Sequence, residues 1–183
     1  MKTFLKKLKR QNKAFTLVET LIAIAIFTIS ITALMSVLGS GISNTNYAKT
    51  KMTATYLAQE GIENIRNMRD TYILDQSGWN GFKSKFSNCI DPFDKSCGFR
   101  LYDIFLCDSD PSNCKLYIKN GYNYDDGEDS GFVRKIWVEN VDSGDIEVKI
   151  YSDVSWTQGA GGSVRFSESL FNWIELPGSL QLQ

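Results

Sequence analysis

The chain has 183 residues, enough for one domain with an extension, and its 43% hydrophobic and 13% aromatic residues support a packed core. Six basic residues and no acidic residue occupy the first 14 positions, which leaves 14 basic against 21 acidic residues, a charge of −7, for the remainder. This acidic body does not indicate nucleic-acid binding. Because the chain has no histidine, it lacks the commonest general base and the commonest metal ligand. We therefore predict neither an enzyme nor a bound cofactor.

Residues 1–14 form a basic leader that is followed by a long apolar run. From Leu21 to Ile42 there is no charged residue, and as a helix these 22 residues rise about 33 Å, enough to cross the hydrocarbon core of a bilayer. Since the basic residues precede the run, we predict an N-terminus in the cytoplasm and a head outside the inner membrane. The run is too long for an ordinary cleaved secretory signal, and an uncleaved signal anchor is the simple alternative.

A single carboxylate stands at the beginning of this apolar run. Glu19 ends the sequence Phe-Thr-Leu-Val-Glu that begins at Phe15, and the next charged residue is Lys49. A charge in a membrane segment costs free energy, on the order of a few kcal/mol toward the bilayer centre, and such residues are commonly functional and paired. We therefore predict that Glu19 has a specific partner.

Residues 13–19, Lys-Ala-Phe-Thr-Leu-Val-Glu, followed by Thr-Leu-Ile-Ala-Ile-Ala-Ile, resemble the class III leader of type IV prepilins and type II secretion pseudopilins. The resemblance implies that a prepilin peptidase cleaves between Ala14 and Phe15, and that the same enzyme methylates the new amine of Phe15. Ala14 departs from the family pattern, in which glycine usually precedes the cut. The resemblance also implies that Glu19 pairs with the amine of Phe15, within one subunit or between neighbours, and so sets the register of assembly.

The segment 15–42 is thus predicted as a transmembrane and filament-assembly helix, and 43–72 as an amphipathic helix of the head. In the second segment the apolar residues recur at steps of three and four: Ala54, Leu57, Ala58, Gly61, Ile62, Ile65 and Met68. The stretch 57–70 resembles minor pilins of the pilus-modification type and I-type pseudopilins. Pseudopilins that cap the filament tip typically lack the equivalent of Glu19.

Residues 73–183 are predicted to form a β-rich globular head. The stretch from Ser77 to Phe82 is predicted as a loop because it is rich in turn residues. The predicted strands are 98–107, 132–141, 146–156 and 163–170, and the turns are 142–145 and 159–162. An antiparallel sheet packed on the helix gives an α+β, type IV pilin-like fold.

Four cysteines lie within 26 residues of the head, and three pairings are possible. We favour disulfides Cys89–Cys97 and Cys107–Cys114, because each closes a short polar loop. Free thiols and a metal site are the alternatives, although the spacings do not resemble the close cysteine pairs of zinc sites. Disulfides would place the head in an oxidising, extracytoplasmic compartment.

An acidic loop in the head is a weak calcium candidate. It contains Asn123, Asp125, Asp126, Glu128 and Asp129. The spacing of these residues does not match an EF-hand, so a solvated turn is the better interpretation and no metal site is predicted.

We conclude from the sequence that the chain resembles a minor type IV pilin or pseudopilin. Such a subunit is stored in the inner membrane and is processed by a prepilin peptidase and methyltransferase. It then primes or joins an extracytoplasmic filament of other pilins, which is a pilus, a type II secretion filament or a DNA-uptake filament. The alternative is a signal-anchored extracytoplasmic binding domain that does not polymerise.

Overall fold

A computed structural model describes residues 15–75, 77–90, 95–100, 103–107, 111–140 and 146–172. In this part of the chain, a long helix α1 (Leu17–Leu74) and a short helix α2 (Gly78–Lys85) precede a seven-stranded antiparallel sheet. The strands in chain order are β1 (Cys97–Arg100), β2 (Asp103–Leu106), β3 (Lys115–Ile118), β4 (Tyr122–Asn123), β5 (Glu128–Asn140), β6 (Glu147–Trp156) and β7 (Gly162–Phe171). The predicted α+β architecture is confirmed.

Two compact units make up the chain, residues 1–45 and residues 46–183, and the boundary between them falls within α1. The described part of the first unit, from Phe15 to Thr45, consists of exposed residues and is almost entirely helical. It contains a stretch that is long and apolar enough to cross a membrane, and no residue of that stretch is buried by the rest of the chain.

Four hydroxyl groups in this apolar part bond to the helix itself. The side chains of Thr28, Ser30, Thr32 and Ser40 each donate to a carbonyl oxygen three or four residues earlier, at 2.8 to 3.1 Å. A lipid core offers no hydrogen-bond partner to a polar group. These internal bonds therefore make the hydroxyl groups acceptable in apolar surroundings.

In the second unit, one face of α1 packs on the sheet. The buried residues of the helix are the seven that the periodicity predicted, from Ala54 to Met68. The approach is close at Gly61, where an added Cβ would lie 2.5 Å from Oγ of Ser152 in β6. Glycine in a helix interior costs roughly 1 kcal/mol relative to alanine, so the close approach gives a reason for its presence here.

The central strand of the sheet is β5. It pairs with β6 from Phe132–Trp156 to Asn140–Val148, and β7 follows β6. On its other side, β5 pairs with β3 and, at Ile136, with β1; β4 and β2 flank these two strands. Alternate residues of β6 are buried, as expected for a sheet with one face on a helix. The strands predicted at 132–141, 146–156 and 163–170 are confirmed at their described residues, except that β6 begins at Glu147, and the turn 142–145 lies outside the described residues.

Two predictions for the head were wrong. The stretch from Ser77 to Phe82, predicted as a loop, contributes to α2, because Trp79 and Phe82 lie three residues apart and are both buried in the core. The segment 98–107, predicted as one strand, forms the hairpin of β1 and β2, with Phe99 opposite Ile104. Apolar and aromatic residues occur on both sides of the reversal, and so the sequence pattern gave no sign of it. The strands β3 and β4 were not predicted.

The predicted cysteine pairing is present as two disulfides, Cys89–Cys97 and Cys107–Cys114, with Cα–Cα distances of 5.6 and 5.2 Å. All four cysteines are buried. The first disulfide lies in a core cluster with Ile65, and the second lies in a cluster around Leu57 and Trp156. Each disulfide thus lies in the core on which α1 packs.

Candidate assembly site at the start of α1

Thr16 and Glu19 form a reciprocal pair at the first turn of α1. The hydroxyl oxygen of Thr16 accepts a hydrogen bond from the backbone N–H of Glu19 at 3.3 Å. In return, Oε2 of Glu19 lies 3.4 Å from both the backbone nitrogen and the hydroxyl of Thr16, which donate to it. This arrangement is a capping box, in which two side chains satisfy backbone donors that have no partner inside the helix.

The electrostatics of this end favour a carboxylate. The N-terminus of a helix carries a partial positive charge, and Glu19 is the acidic residue of the first turn. Both contacts to Thr16 use Oε2, while Oε1 has no hydrogen bond or ion pair with any residue described here. One carboxylate oxygen therefore stays open to a cation that approaches this end of the helix.

The surroundings of Glu19 are apolar and unshielded by the chain itself. Phe15 is 81% exposed, and Leu17, Val18, Leu21 and Ile22 are also exposed. Ala14 lies outside the described residues, and so does the rest of the basic leader. A surface of this kind is stable only when lipid or another protein covers it.

The sequence indicated that Glu19 pairs with a cation, and its second role as a helix cap was missed. Thr-x-x-Glu before an apolar run is the sequence signature of a capping box, and residues 16–19 carry it. The capping box means that Glu19 also stabilises the first turn, by about 1 kcal/mol for a typical cap. Any test of its role in assembly must separate these two effects.

In the acidic loop, three aspartates are each held by a separate basic side chain. The pairs are Asp125 with Arg100, Asp126 with Lys119 and Asp129 with Lys115. The backbone N–H of Gly131, and then Lys115, lower the pKa of Asp129 below its ordinary value. No group of three potential metal ligands occurs within the described ranges. A calcium ion would have to displace these ion pairs, and the site remains a weak prediction.

A buried arginine links the sheet to α1. Arg134 of β5 is 2% exposed, and its Nη1 donates to the carbonyl oxygen of Leu57 at 3.0 Å and to Oε2 of Glu60 at 2.9 Å. Its Nε donates to the hydroxyl of Tyr124 at 2.7 Å. Burial opposes the charge of Arg134, but Tyr124 and Glu60 outweigh this effect and the pKa of the guanidinium is raised. Burial opposes the charged form of Tyr124 as well, and so it raises the pKa of this phenol.

Arg134 was also missed from the sequence, although a signal was present. It lies two residues after Phe132 and two before Ile136, both of which are buried. Alternation along a strand places it on the same face as these residues. An arginine at such a position requires partners, and here the helix provides two of them.

No curated protein and no solved structure matches this chain. Residues 9–35 match the family model of the prokaryotic N-terminal methylation motif. The matched range includes Ala14, Phe15, the capping box of Thr16 and Glu19, and part of the apolar run. The chain therefore carries a prokaryotic N-terminal methylation motif at residues 9–35, consistent with the class III leader of a type IV pilin-like protein.

Proposed function

We propose that the chain is a minor type IV pilin or pseudopilin, a structural subunit that primes or joins a helical filament outside the inner membrane. The methylation motif at residues 9–35 carries this proposal, and it supports a pilin-like or pseudopilin subunit in general. The minor role rests on the resemblance of residues 57–70 to minor pilins.

The subunit is made as a membrane-anchored precursor. A prepilin peptidase removes residues 1–14 by cutting between Ala14 and Phe15, and the methyltransferase then modifies the amine of Phe15. The helix from Phe15 to Ile42 stays in the bilayer until the subunit is assembled. It then packs among the helices of other pilins, while the head remains outside.

Cleavage creates a cation beside Glu19. The amine of Phe15 is charged and would be buried among apolar helices during assembly. Oε1 of Glu19 is open to accept it, from the same subunit or from a neighbour. Such a buried pair need not add net stability, but removing one partner strands the other at a cost of roughly 3–5 kcal/mol. The pair therefore specifies register in the filament.

A comparison of Glu19→Gln with Glu19→Ala separates charge pairing from helix capping. Glutamine can take the place of glutamate in a capping box, so Glu19→Gln keeps the cap and loses the charge. We expect both variants to be processed and retained in the membrane, and both to fall at least about tenfold in the sheared filament fraction. The fractions are measured by quantitative immunoblotting of membrane and filament material.

Glu128→Gln is the matched control, since Glu128 is an exposed carboxylate of the head. It should enter filaments as the parent chain does. If Glu19→Gln assembled normally while Glu19→Ala did not, Glu19 would act as a cap alone. Normal assembly of both variants would remove Glu19 from the mechanism altogether.

Mass spectrometry of the chain isolated from membranes tests the processing step. We expect a mature chain that begins with methylated Phe15. An intact chain that begins with Met1 would favour the signal-anchored binding domain instead.

A further inference from the structure

A cleft of about 820 Å³ lies in the head, between the last turns of α1 and the strands β1 and β4. Its volume is within the range of about 300–1,000 Å³ that is usual for small-ligand sites. The cleft belongs wholly to the unit of residues 46–183. Nothing in the proposed filament function uses it.

The helix wall of the cleft includes three uncharged polar side chains. Asn64, Asn67 and Thr71 follow one another at steps of three and four, which places them on one face of α1. The hydroxyl of Thr71 donates to the carbonyl oxygen of Asn67 at 2.9 Å. The amides of Asn64 and Asn67 make no hydrogen bond with any residue in the described ranges. Each amide thus offers its donors and its acceptor to a ligand.

The opposite wall contributes aromatic surface. Phe99 of β1 and Tyr122 of β4 line the cleft and are half-buried. Tyr122 is held edge-on by Phe132, with ring centroids 6.2 Å apart, which limits its movement. Its hydroxyl has no hydrogen bond with the described part of the chain. The wall therefore combines apolar ring surface with a polar tip.

The charged residues that line the cleft already have partners. The ion pairs are Glu60 with Arg134, Asp125 with Arg100 and Asp70 with Arg69. A charged ligand would have to break one of these pairs or remain uncompensated. The groups that remain for recognition are the free amides, a phenol and ring surface, and these suit a neutral ligand rich in hydroxyl groups.

We propose that this cleft binds a short neutral oligosaccharide. Sugar hydroxyls both donate and accept hydrogen bonds, as the amides of Asn64 and Asn67 do. The apolar C–H faces of the sugar rings pack on Phe99 and Tyr122. An extended peptide is less suitable, because β4 has only two residues to pair with an added strand. This binding needs only the head and is independent of filament assembly.

The test is saturation-transfer NMR and calorimetry on the full chain in a detergent without a sugar headgroup, since a maltoside detergent would compete. The probes are maltotriose, cellotriose and triacetylchitotriose, at concentrations up to about 10 mM. We expect at least one of them to bind with a dissociation constant of about 1 mM. Asn64→Ala combined with Asn67→Ala should weaken this binding at least about tenfold, because two direct hydrogen bonds are lost.

Asn46→Ala is the matched control, because Asn46 is an exposed asparagine of the same helix and does not line the cleft. It should leave binding unchanged. The double variant should keep the unfolding temperature of the parent chain, since neither amide is bonded within the head. The proposal is overturned if none of the three sugars binds, if the double variant binds as the parent does, or if Asn46→Ala weakens binding equally.

Discussion

Replacing Gly61 by alanine adds one methyl group where α1 lies close to the sheet. The new Cβ would lie 2.5 Å from Oγ of Ser152, and 3.4 Å from Cδ of Arg134 and from Cδ1 of Ile136. The last two distances are near ordinary van der Waals contact. The first is a clash, because Ser152 is fully buried and the surrounding core is close-packed.

Two opposing terms set the size of the effect. Alanine in a helix interior is favoured over glycine by roughly 1 kcal/mol. Overpacking a core by one methyl group costs typically about 1–3 kcal/mol. We therefore expect Gly61→Ala to lower the free energy of unfolding by up to about 2 kcal/mol, despite its better helix propensity.

In a chain that carries Ser152→Ala, the effect of Gly61→Ala on the free energy of unfolding should have the opposite sign. Oγ of Ser152 has no hydrogen-bond partner within the described residues, so its removal breaks no bond and takes away a buried unsatisfied group. With the hydroxyl gone, Gly61→Ala should stabilise the head by about 1 kcal/mol through helix propensity alone. The double-mutant cycle should then give a coupling of about 1–3 kcal/mol between the two positions.

The cycle is measured by urea unfolding of the full chain in detergent, followed by tryptophan fluorescence. Trp137 and Trp156 are both buried in the folded head and report its opening. If Gly61→Ala changed stability by the same amount with and without the hydroxyl of Ser152, the contact would not be the cause. A stabilising Gly61→Ala in the parent chain would likewise refute the close approach.

Further predictions concern pH and the disulfides. Burial raises the pKa of Tyr124 above its ordinary value of 10.0, so the unfolded chain loses this proton at a lower pH than the folded chain does. The stability of the head should therefore fall as the pH rises above that value. The fall in unfolding temperature between pH of about 8 and 11 should be smaller in Tyr124→Phe. The pKa of Asp129 is lowered, so this carboxylate stabilises the folded chain at pH values above its ordinary pKa of 3.8, and the stabilisation is lost on acidification. Asp129→Asn should therefore show a smaller fall in unfolding temperature below pH of about 4 than the parent chain does. Replacing Cys107 and Cys114 by alanine should lower the free energy of unfolding by about 2.5 kcal/mol in urea titrations, as expected for a short closed loop. An unchanged urea midpoint would show that this disulfide does not constrain the unfolded chain.

The long regular elements could be predicted from the sequence because their periodicity is uninterrupted. Seven apolar residues at helical spacing identified the buried face of α1, and strict alternation identified β6. The hairpin of β1 and β2 could not be predicted in this way, since apolar and aromatic residues occur on both sides of the reversal and no turn residue such as glycine or proline marks it. Periodicity describes a face of an element and does not report where the chain turns back.

The sequence allowed the residues of the candidate site to be named, but it did not give their contacts. Phe15 and Glu19 could be selected from the leader pattern, while the capping contact with Thr16 was overlooked although residues 16–19 carry its sequence signature. Arg134 was overlooked because its partners, Leu57 and Glu60, are more than 70 positions earlier in the chain. Contacts at that separation depend on how the helix docks on the sheet, and a single sequence does not specify the docking.

The hydroxyl groups of Thr28, Ser30, Thr32 and Ser40 have a consequence for transfer between environments. Each is bonded to its own helix, so none of the four requires a partner from the surroundings. When such a helix moves from lipid to a protein neighbour, these four groups neither gain nor lose a hydrogen bond. Under the proposed function, the Glu19 carboxylate then carries the charge-dependent part of the choice between one neighbour and another.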